Sequence, residues 1–385
     1  VFNYNAPIVE HQVNFSGGSA QSSYYLSLSY LYHEGIVGGN LNRSNYERYT
    51  TRFNNQYIIW DIDERILLRN LKVGSNISYS KIFSRSIGTN SERGTPLGAS
   101  LMMSPLIDVY AENPDEVFEQ FPNAVTDFNG LPFTIVDSQF GVTNPVAMLH
   151  LPGDKDNSDK YVGNFWAELE LYRNLKYKSS FGVDMGFWGN DGYTMPYYLG
   201  VANYIDQSSV WSTMYKSFTW LVENLLTYNL NIYDHQFNFL LGQSAQSTNS
   251  HYVGGVSYDI RNPKQPYIDA TDKASNERGA WGSPSAFHRL ASYFGKIGYN
   301  YAEKYIVEAT LRRDGSSNFG RKRRWANFPS ISAGWTITNE EFMKDRIGFL
   351  SSVKLRASWG RNGNQSIGEF GYTSTIAGNV NYILG

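Results

Sequence analysis

The sequence predicts an all-β fold, an antiparallel transmembrane β-barrel, from its composition, its residue alternation and the lengths of its connections. Charged residues make up only 18% of the 385 residues, below the roughly 25% of soluble proteins, while aromatic residues reach 16%. The mean hydropathy is negative and no run of about 18 apolar residues occurs, which argues against a helical membrane protein. Many Tyr and Trp with few charges favour a barrel with aromatic girdles, although composition alone leaves a secreted all-β protein open.

Period-two alternation is the main local signal, because it points successive side chains to opposite faces of a sheet. Over 177–187 the odd positions are mostly apolar and the even positions are polar or glycine, and similar alternation occurs over 23–32, 305–312 and 353–359. In a soluble sandwich the apolar face would be buried, whereas in a membrane barrel it faces lipid and charged residues line the lumen. Alternation alone leaves both arrangements open.

The connections between alternating runs fall into two classes. Short turns are predicted near 20–21, 61–64, 174–175, 233–235, 302–303 and 349–351, and longer polar connections over about 34–45, 84–159, 189–211, 249–286 and 315–328. Each short turn joins two strands, which gives about twelve strands. Because the two classes alternate along the chain, they favour an outer-membrane barrel with tight periplasmic turns and long extracellular loops. The longest connection is expected to contain structure of its own, including a short helix around 115–120.

Catalytic, metal and nucleic-acid sites are not indicated. The chain has no Cys, and its six His are scattered without the spacing of metal ligands. The segment 154–159 begins like a calcium loop, but Asp159 and Phe165 stand where such a loop needs Gly and a bidentate Glu. The net charge of −2 gives no reason to expect affinity for nucleic acid. We therefore predict no enzyme activity, no metal and no cofactor.

Several segments carry a family resemblance that is specific as an ordered set. They are HQVNFSGGSAQSSYYLSLSYLYHEGIV (11–37), RYTTRFN (48–54), LKVGSNISYS (71–80), YIVEATLRRDGSSNFG (305–320), RWANFPSISAGWTITNEEFM (324–343) and VKLRASWGRNGNQSIGEF (353–370). Together they resemble the SusC/RagA-like TonB-dependent outer-membrane transporters, and the resemblance covers nearly the whole chain.

The resemblance implies a 22-stranded barrel in the bacterial outer membrane of a Bacteroidota-type envelope, plugged by an N-terminal domain. It also implies a SusD-like surface lipoprotein as a lid, coupling to the TonB complex through the N-terminal region, contact with outer-membrane lipid and lipopolysaccharide, and an oligosaccharide or peptide substrate. Residues 1–385 would then form a partial barrel of about twelve strands without the plug domain, because no secretory signal, TonB box or plug is visible. Such a piece should not function alone, since its strand edges would be unpaired.

Two sets of candidate residues follow. Aromatic residues in or beside the long connections could stack on sugar rings or peptide side chains, although membrane-interface anchoring explains Tyr and Trp equally well; they are Trp188, Tyr193, Tyr197, Tyr198 and Trp281. The family motifs supply residues with an expected structural role, with a bend at Asp-Gly and Arg–Asp pairing in the lumen wall; they are Arg312, Arg313, Asp314, Gly315, Trp335 and Trp359. The basic run 321–324 is either a solvated loop tip or a contact for lipopolysaccharide phosphates.

Three functions remain to be separated. Active import of an oligomeric glycan or peptide is favoured by the alternating connections and by the family resemblance. A surface receptor or adhesin without transport would keep the barrel and the loops but would dispense with energy coupling. A secreted β-sandwich hydrolase is disfavoured, because no pair of carboxylates has a spacing that places both in one site.

Overall fold

A single antiparallel sheet of twelve strands dominates the computed structural model, which describes residues 1–136, 141–271, 278–343, 352–367 and 372. Its strands are β1 (Ile8–Gly18), β2 (Ser22–Glu34), β3 (Asn45–Asp61), β4 (Asn70–Arg85), β5 (Lys155–Tyr172), β6 (Leu175–Thr194), β9 (Ser209–Ile232), β10 (His235–Tyr258), β11 (Gly279–Tyr301), β12 (Tyr305–Ser316), β13 (Trp325–Thr336) and β14 (Lys354–Gly360). A separate hairpin comprises β7 (Tyr197–Gly200) and β8 (Asn203–Ile205). Strands that follow one another in the main sheet are also neighbours in space, and the predicted all-β fold is confirmed.

Three short helices lie in the connection between β4 and β5. They are α1 (Pro96–Met102), α2 (Pro114–Gln120) and α3 (Pro145–His150), so the helix predicted around 115–120 is confirmed. Each begins at a proline, whose fixed φ angle and missing N–H suit the first turn of a helix. No helix within the described ranges has the length and apolar character needed to cross a bilayer.

One face of the main sheet is apolar and open to its surroundings. Leu226 on β9 pairs with Tyr177 on β6 and with Leu241 on β10, so alternating apolar positions form a continuous row across three strands. Leu241, Ile297 and Trp359, all on this face, are each more than half exposed. An apolar surface of this extent needs an apolar neighbour, which a lipid bilayer supplies. We call it the outer face.

The opposite face carries ion pairs and is named the lumen face. Lys160 pairs with Asp184 between β5 and β6, and three further pairs share this face: Lys176 with Glu168 at 3.9 Å, Lys296 with Glu308 at 3.2 Å and Arg312 with Asp314 at 2.8 Å. Charged pairs of this kind belong on the water-exposed interior of a transmembrane barrel rather than against lipid. The predicted division into an apolar lipid face and a charged lumen face matches the register of these pairs, while one pair, Lys81 with Asp159 at 2.7 Å, lies on the outer face toward the long connections.

The strands are longer than a membrane requires. β9 and β10 have 24 residues each, which corresponds to roughly 80 Å along the strand, while about 9–11 residues suffice to span a bilayer. The strands therefore continue beyond the membrane at the end where the long connections lie. Those connections, at 86–154, 195–208 and 259–278, are shorter than the ranges predicted from polarity, because polar and glycine residues beyond the membrane still pair through their backbones.

Two further sequence expectations differ from the structure. The turn expected at 61–64 is a longer connection, 62–69, closed by a hydrogen bond from the Ile62 N–H to the Arg69 carbonyl at 2.8 Å. The bend expected at Asp314 and Gly315 is absent, because both residues lie within β12 and pair with Ala326 and Trp325. The remaining turns near 20–21, 174–175, 233–235 and 302–303 fall between paired strands as predicted. The turn expected at 349–351 lies outside the described residues.

Candidate functional site

Three aromatic side chains form a row across neighbouring strands on the lumen face. Trp188 on β6 lies opposite Tyr215 on β9, which lies opposite Tyr252 on β10. The Trp188 and Tyr215 rings stack with centroids 5.4 Å apart and planes 1° apart, and Tyr215 and Tyr252 stack at 5.4 Å and 27°. We call these three residues the lumen aromatic row. Trp188 is 40% exposed, so its ring is available to a molecule in the lumen.

Two further indoles flank this row at positions that require glycine. The Trp211 ring on β9 occupies the space above Gly192, and the Trp281 ring on β11 occupies the space above Gly254. A Cβ at either glycine would collide with the indole, so each ring is held flat against the backbone of the neighbouring strand. The lumen face therefore presents aromatic surface on four consecutive strands of the sheet.

Polar groups surround these rings. The Trp211 indole donates to Asn190 Oδ1 at 3.1 Å, and the Asn190 amide donates to Asp156 Oδ1 at 2.9 Å. On the other side of the row, the Lys160–Asp184 pair lies beside Gly186, against which the Trp188 ring packs. Aromatic faces bordered by hydrogen-bonding groups match a ligand that has both apolar surface and many polar groups.

The connection 86–154, here called the loop module, has a small apolar core of its own. Its buried residues pack against Leu199 of the β7–β8 hairpin; they are Ala99, Phe133, Val142, Ala147 and Met148. Asn144 begins α3 by accepting hydrogen bonds from the N–H groups of Val146 and Ala147, and its amide donates to the Val109 carbonyl at 2.9 Å. In the described part of the loop module, apolar burial and the hydrogen bonds of Asn144 hold α3 in place.

A cavity of about 510 Å³ lies between α2 and the β7–β8 hairpin. Phe121 and Tyr198 stack at its edge with centroids 4.2 Å apart, while Asp108, Glu112 and Glu116 place three carboxylates in its lining. The hairpin is held in place by a 2.8 Å hydrogen bond from the Tyr198 N–H to the Asn123 carbonyl. This second aromatic surface has an acidic rim, unlike the lumen aromatic row.

The predicted substrate-contact residues separate into three locations. Trp188 and Trp281 lie on the lumen face among the aromatic rings described above. Tyr198 lines the loop-module cavity. Tyr197 is more enclosed, and burial raises the pKa of its hydroxyl. This hydroxyl donates a hydrogen bond to Asn203 Oδ1 at 3.0 Å. Tyr193 pairs with Val210 on the outer face, opposite in direction to Trp188. The structure thus brings two of the five together.

The sequence expectation missed Trp211, Tyr215, Tyr252 and Phe121. A signal was present for two of them, because Trp211 and Tyr215 share the parity of Ser217 and Thr219 on the polar face of β9. An aromatic residue at a lumen-facing position is unusual for membrane anchoring and could have been singled out. Phe121 gave no such signal, since its contact depends on how the loop module meets the hairpin.

The motif residues divide between the two faces of the sheet. Arg312 and Asp314 pair on the lumen face, as expected, and the Arg312 guanidinium also donates to Ser292 at 2.9 Å. Arg313 lies on the outer face above Trp325, whose ring covers Gly315 so closely that a Cβ there would come within 2.7 Å of it. Gly315 is therefore needed for close packing of the indole rather than for a bend.

The two motif tryptophans point outward, Trp335 at the short-turn end of β13 and Trp359 opposite Ile331 in the middle of β13. The Trp335 indole donates to Glu340 at 3.0 Å, and the same carboxylate accepts from Tyr305 at 2.6 Å. Hydrogen bonds from Tyr305 and Trp335 hold the pKa of Glu340 below its ordinary value. Trp359 is 64% exposed on the outer face. Trp335 is placed as a membrane-interface residue, whereas Trp359 lies within the apolar outer face.

The calcium-like segment offers no ion site. Lys155 to Asp159 belong to β5, where alternation sends Asp156 and Asp159 to opposite faces. Asp159 instead accepts from Tyr79 and Lys81, both at 2.7 Å. No group of three or more His, Cys, Asp or Glu that could hold a metal occurs in the part of the chain that the structure describes.

Comparisons with known proteins identify homologues of the chain. It is 28% identical over 384 residues to the TonB-dependent receptor SusC of Bacteroides thetaiotaomicron, covering 97% of the chain and 35% of that receptor. It is 30% identical over 369 residues to the TonB-dependent receptor P3 of Formosa agariphila, covering 93% of the chain and 33% of that receptor. No family model matches. The chain spans about one third of the length of the curated relatives it matches.

Solved structures agree on the fold. The RagAB peptide importer in its open-open state superposes with a TM-score of 0.77 at 22% identity, over 97% of the chain and 38% of that structure's chain. The closed-closed state of RagAB superposes with a TM-score of 0.75 at 22% identity, over 94% of the chain and 37% of that structure's chain. The sequence relatives are receptors rather than enzymes, and proteins of this kind lie in the outer membrane of Bacteroidota, as predicted. The chain is therefore a homologue of the SusC TonB-dependent receptors and corresponds to part of a SusC/RagA-like outer-membrane β-barrel.

Proposed function

We propose that the protein containing this chain imports an oligomeric nutrient, a glycan or a peptide, across the outer membrane. The observation that supports this proposal most strongly is the lumen aromatic row, Trp188, Tyr215 and Tyr252. Stacked rings on a water-exposed barrel wall have no lipid to contact, so ligand binding gives them a role that membrane anchoring does not. The long connections beyond β4, β6 and β10 would lie on the extracellular side, where the ligand enters.

The dimensions of the row suit an extended ligand. Neighbouring strands lie about 4.8 Å apart, so three rings on three strands cover roughly 10 Å of the wall. Sugar rings and apolar peptide side chains can both stack on such a surface, and Asn190, Lys160 and Asp184 supply hydrogen-bonding groups nearby. Both substrate classes are therefore proposed, and the uptake of two labelled pools by intact cells separates them.

Partners and energy source follow from the relatives. SusC is named a TonB-dependent receptor, which supports coupling to TonB. The N-terminal route of that coupling and a SusD-like surface lipoprotein as partner are proposed from the family resemblance alone. The loop module carries acidic and aromatic surface around its cavity, which suits contact with either a ligand or a lipoprotein. The alternative function is a surface receptor or adhesin that binds without transport.

Uptake by intact cells tests the proposal. Cells with the intact gene, without it, or with the gene but without TonB would receive two probes, a fluorescein-labelled maltooligosaccharide pool and a fluorescein-labelled casein peptide pool. Import predicts that one pool accumulates beyond surface binding, and that loss of either the gene or TonB abolishes accumulation. Binding that persists at full level without TonB, with no accumulation in any strain, would establish the receptor or adhesin function instead.

A further inference from the structure

A groove of about 350 Å³ crosses the outer face at the middle of β10 and β11 and at the loop end of β12. Its floor is a row of small residues in register, Ala245, Ala291 and Gly315. Its walls include two indoles, Trp220 and Trp325, the second lying directly over Gly315. The small residues between the two indoles leave this recess open.

Three arginines surround the recess, two on outer-face positions of β11 and β12 and one in the connection before β13. Arg289 and Arg324 contribute to its lining, and Arg313 lies on the next row of β12 with its guanidinium 5.4 Å from the Trp325 ring centroid. All three are exposed. Within the described part of the chain, none of the three forms an ion pair with a carboxylate. The lumen-facing Arg312, by contrast, is bound to Asp314.

Unpaired cations at an apolar surface require an anionic neighbour. Ala245, Ala291 and Gly315 each lie ten residues from the short-turn end of their strand. At about 3.3 Å per residue and a tilt of about 45°, this corresponds to roughly 25 Å, the height of the apolar band of a barrel. In a barrel whose long connections face outward, the groove therefore meets the outer leaflet of the membrane. A guanidinium binds phosphate through charge-assisted, often bidentate hydrogen bonds, and it prefers such a partner where water is scarce. The small-residue floor and the indole walls accept an acyl chain, while the arginines accept the headgroup.

We propose that this groove is a specific site for a phosphorylated, acylated lipid of the outer leaflet. One acyl chain lies over Ala245, Ala291 and Gly315, and a headgroup phosphate is bound by Arg289 and Arg324 with support from Arg313. The adjoining basic run 321–324 extends the positive surface toward the remainder of the headgroup. The proposal depends on the orientation of the barrel but not on the identity of any imported substrate.

Native mass spectrometry of the full-length receptor in detergent micelles tests the site. The probes are bisphosphorylated lipid A, the same lipid after removal of both phosphates, and inorganic phosphate. The variants are the pair Arg289→Gln with Arg324→Gln, which removes the cations, and Gly315→Leu, which fills the groove and displaces the Trp325 ring. Arg356→Gln, an exposed arginine on the lumen face of β14, is the matched control. Retention of the heat-dependent electrophoretic shift of a folded barrel is required of each variant.

The expected result is at least about tenfold tighter binding of bisphosphorylated lipid A than of the dephosphorylated lipid. The arginine pair should abolish that preference, Gly315→Leu should weaken both lipids, and Arg356→Gln should change neither. Equal binding by wild type and the arginine pair would overturn the proposal. Full competition by millimolar inorganic phosphate would also overturn it, since the arginines would then bind free anions without a lipid site. If Gly315→Leu does not fold, the exposed arginine pair decides the question.

Discussion

Two rows of aromatic residues lie on different faces of the sheet, one near the short turns and one near the long connections. At the short-turn end they form a chain of ring contacts on the outer face, here called the turn-side row; it comprises Tyr228, Phe239, Phe237, Tyr299, His235, Tyr301 and Tyr305. At the loop end, the lumen aromatic row stacks on the inner wall. The same residue types therefore occupy two environments, lipid interface and water-filled lumen.

The face on which a ring lies separates anchoring from binding better than its residue type. An outward ring at the membrane interface gains from its amphipathic surroundings, so the turn-side row needs no ligand to explain it. An inward ring gains nothing from lipid and remains exposed to water unless a ligand covers it. This comparison predicts that substitutions in the two rows change different measurable properties.

The largest expected effect concerns the assignment of faces itself. Leu226 and Leu225 are neighbours on β9. Leu226 lies on the outer face in the apolar row with Tyr177 and Leu241, and Leu225 lies on the lumen face. We expect Leu226→Arg to lower the free energy of unfolding in lipid vesicles by about 2–4 kcal/mol, because it places a charge near the bilayer midplane. Leu225→Arg should change it by less than about 1 kcal/mol, because the lumen accepts charge. Urea titration of the full-length receptor measures both.

The pair is matched in position, size change and charge, so its difference reports the face alone. Equal destabilisation by the two variants, or a larger effect for Leu225→Arg, would show that the assignment of lumen and outer faces is reversed or that neither face meets lipid.

A smaller effect is expected on ligand affinity. Tyr215 is the central ring of the lumen aromatic row and stacks with both neighbours. Tyr215→Ala should weaken binding of whichever labelled pool the receptor takes up by about tenfold, since each aromatic contact contributes roughly 0.5–1.5 kcal/mol. Tyr228→Ala in the turn-side row is the control and should leave affinity unchanged. Fluorescence anisotropy with the purified receptor measures both, and a loss shared equally by the two variants would contradict the proposed binding surface.

Much of the fold could be predicted because a barrel strand repeats one simple pattern. Alternation, hairpin turns and alternating connection lengths indicated twelve strands, and the lumen pairing of Arg312 with Asp314 followed from one apolar and one charged face. Strand ends were less predictable. Trp281 was expected in a loop but lies in β11, because backbone pairing continues through polar and glycine residues that carry no alternation signal.

The candidate site could be predicted only in part. Trp188 and Trp281 were expected as ligand contacts, but their partners Tyr215 and Tyr252 come from strands up to 64 residues further along the chain than Trp188, and only register brings them together. Tyr193 was grouped with Trp188 although its odd position sends it to the other face. Gly315 resembled a turn residue, and its packing role became visible only with the Trp325 ring above it.

The smallest expected effect belongs to the turn-side row. Tyr301 contacts His235 with ring centroids 4.8 Å apart and Tyr305 at 6.3 Å. Tyr301→Ala should lower the free energy of unfolding in vesicles by about 1 kcal/mol, and Tyr301→Trp should restore most of it, because either amphipathic ring suits the interface. Ligand affinity should not change in either variant. If Tyr301→Ala instead weakens ligand binding as much as Tyr215→Ala does, without loss of stability, then the face on which a ring lies does not separate anchoring from binding in this barrel.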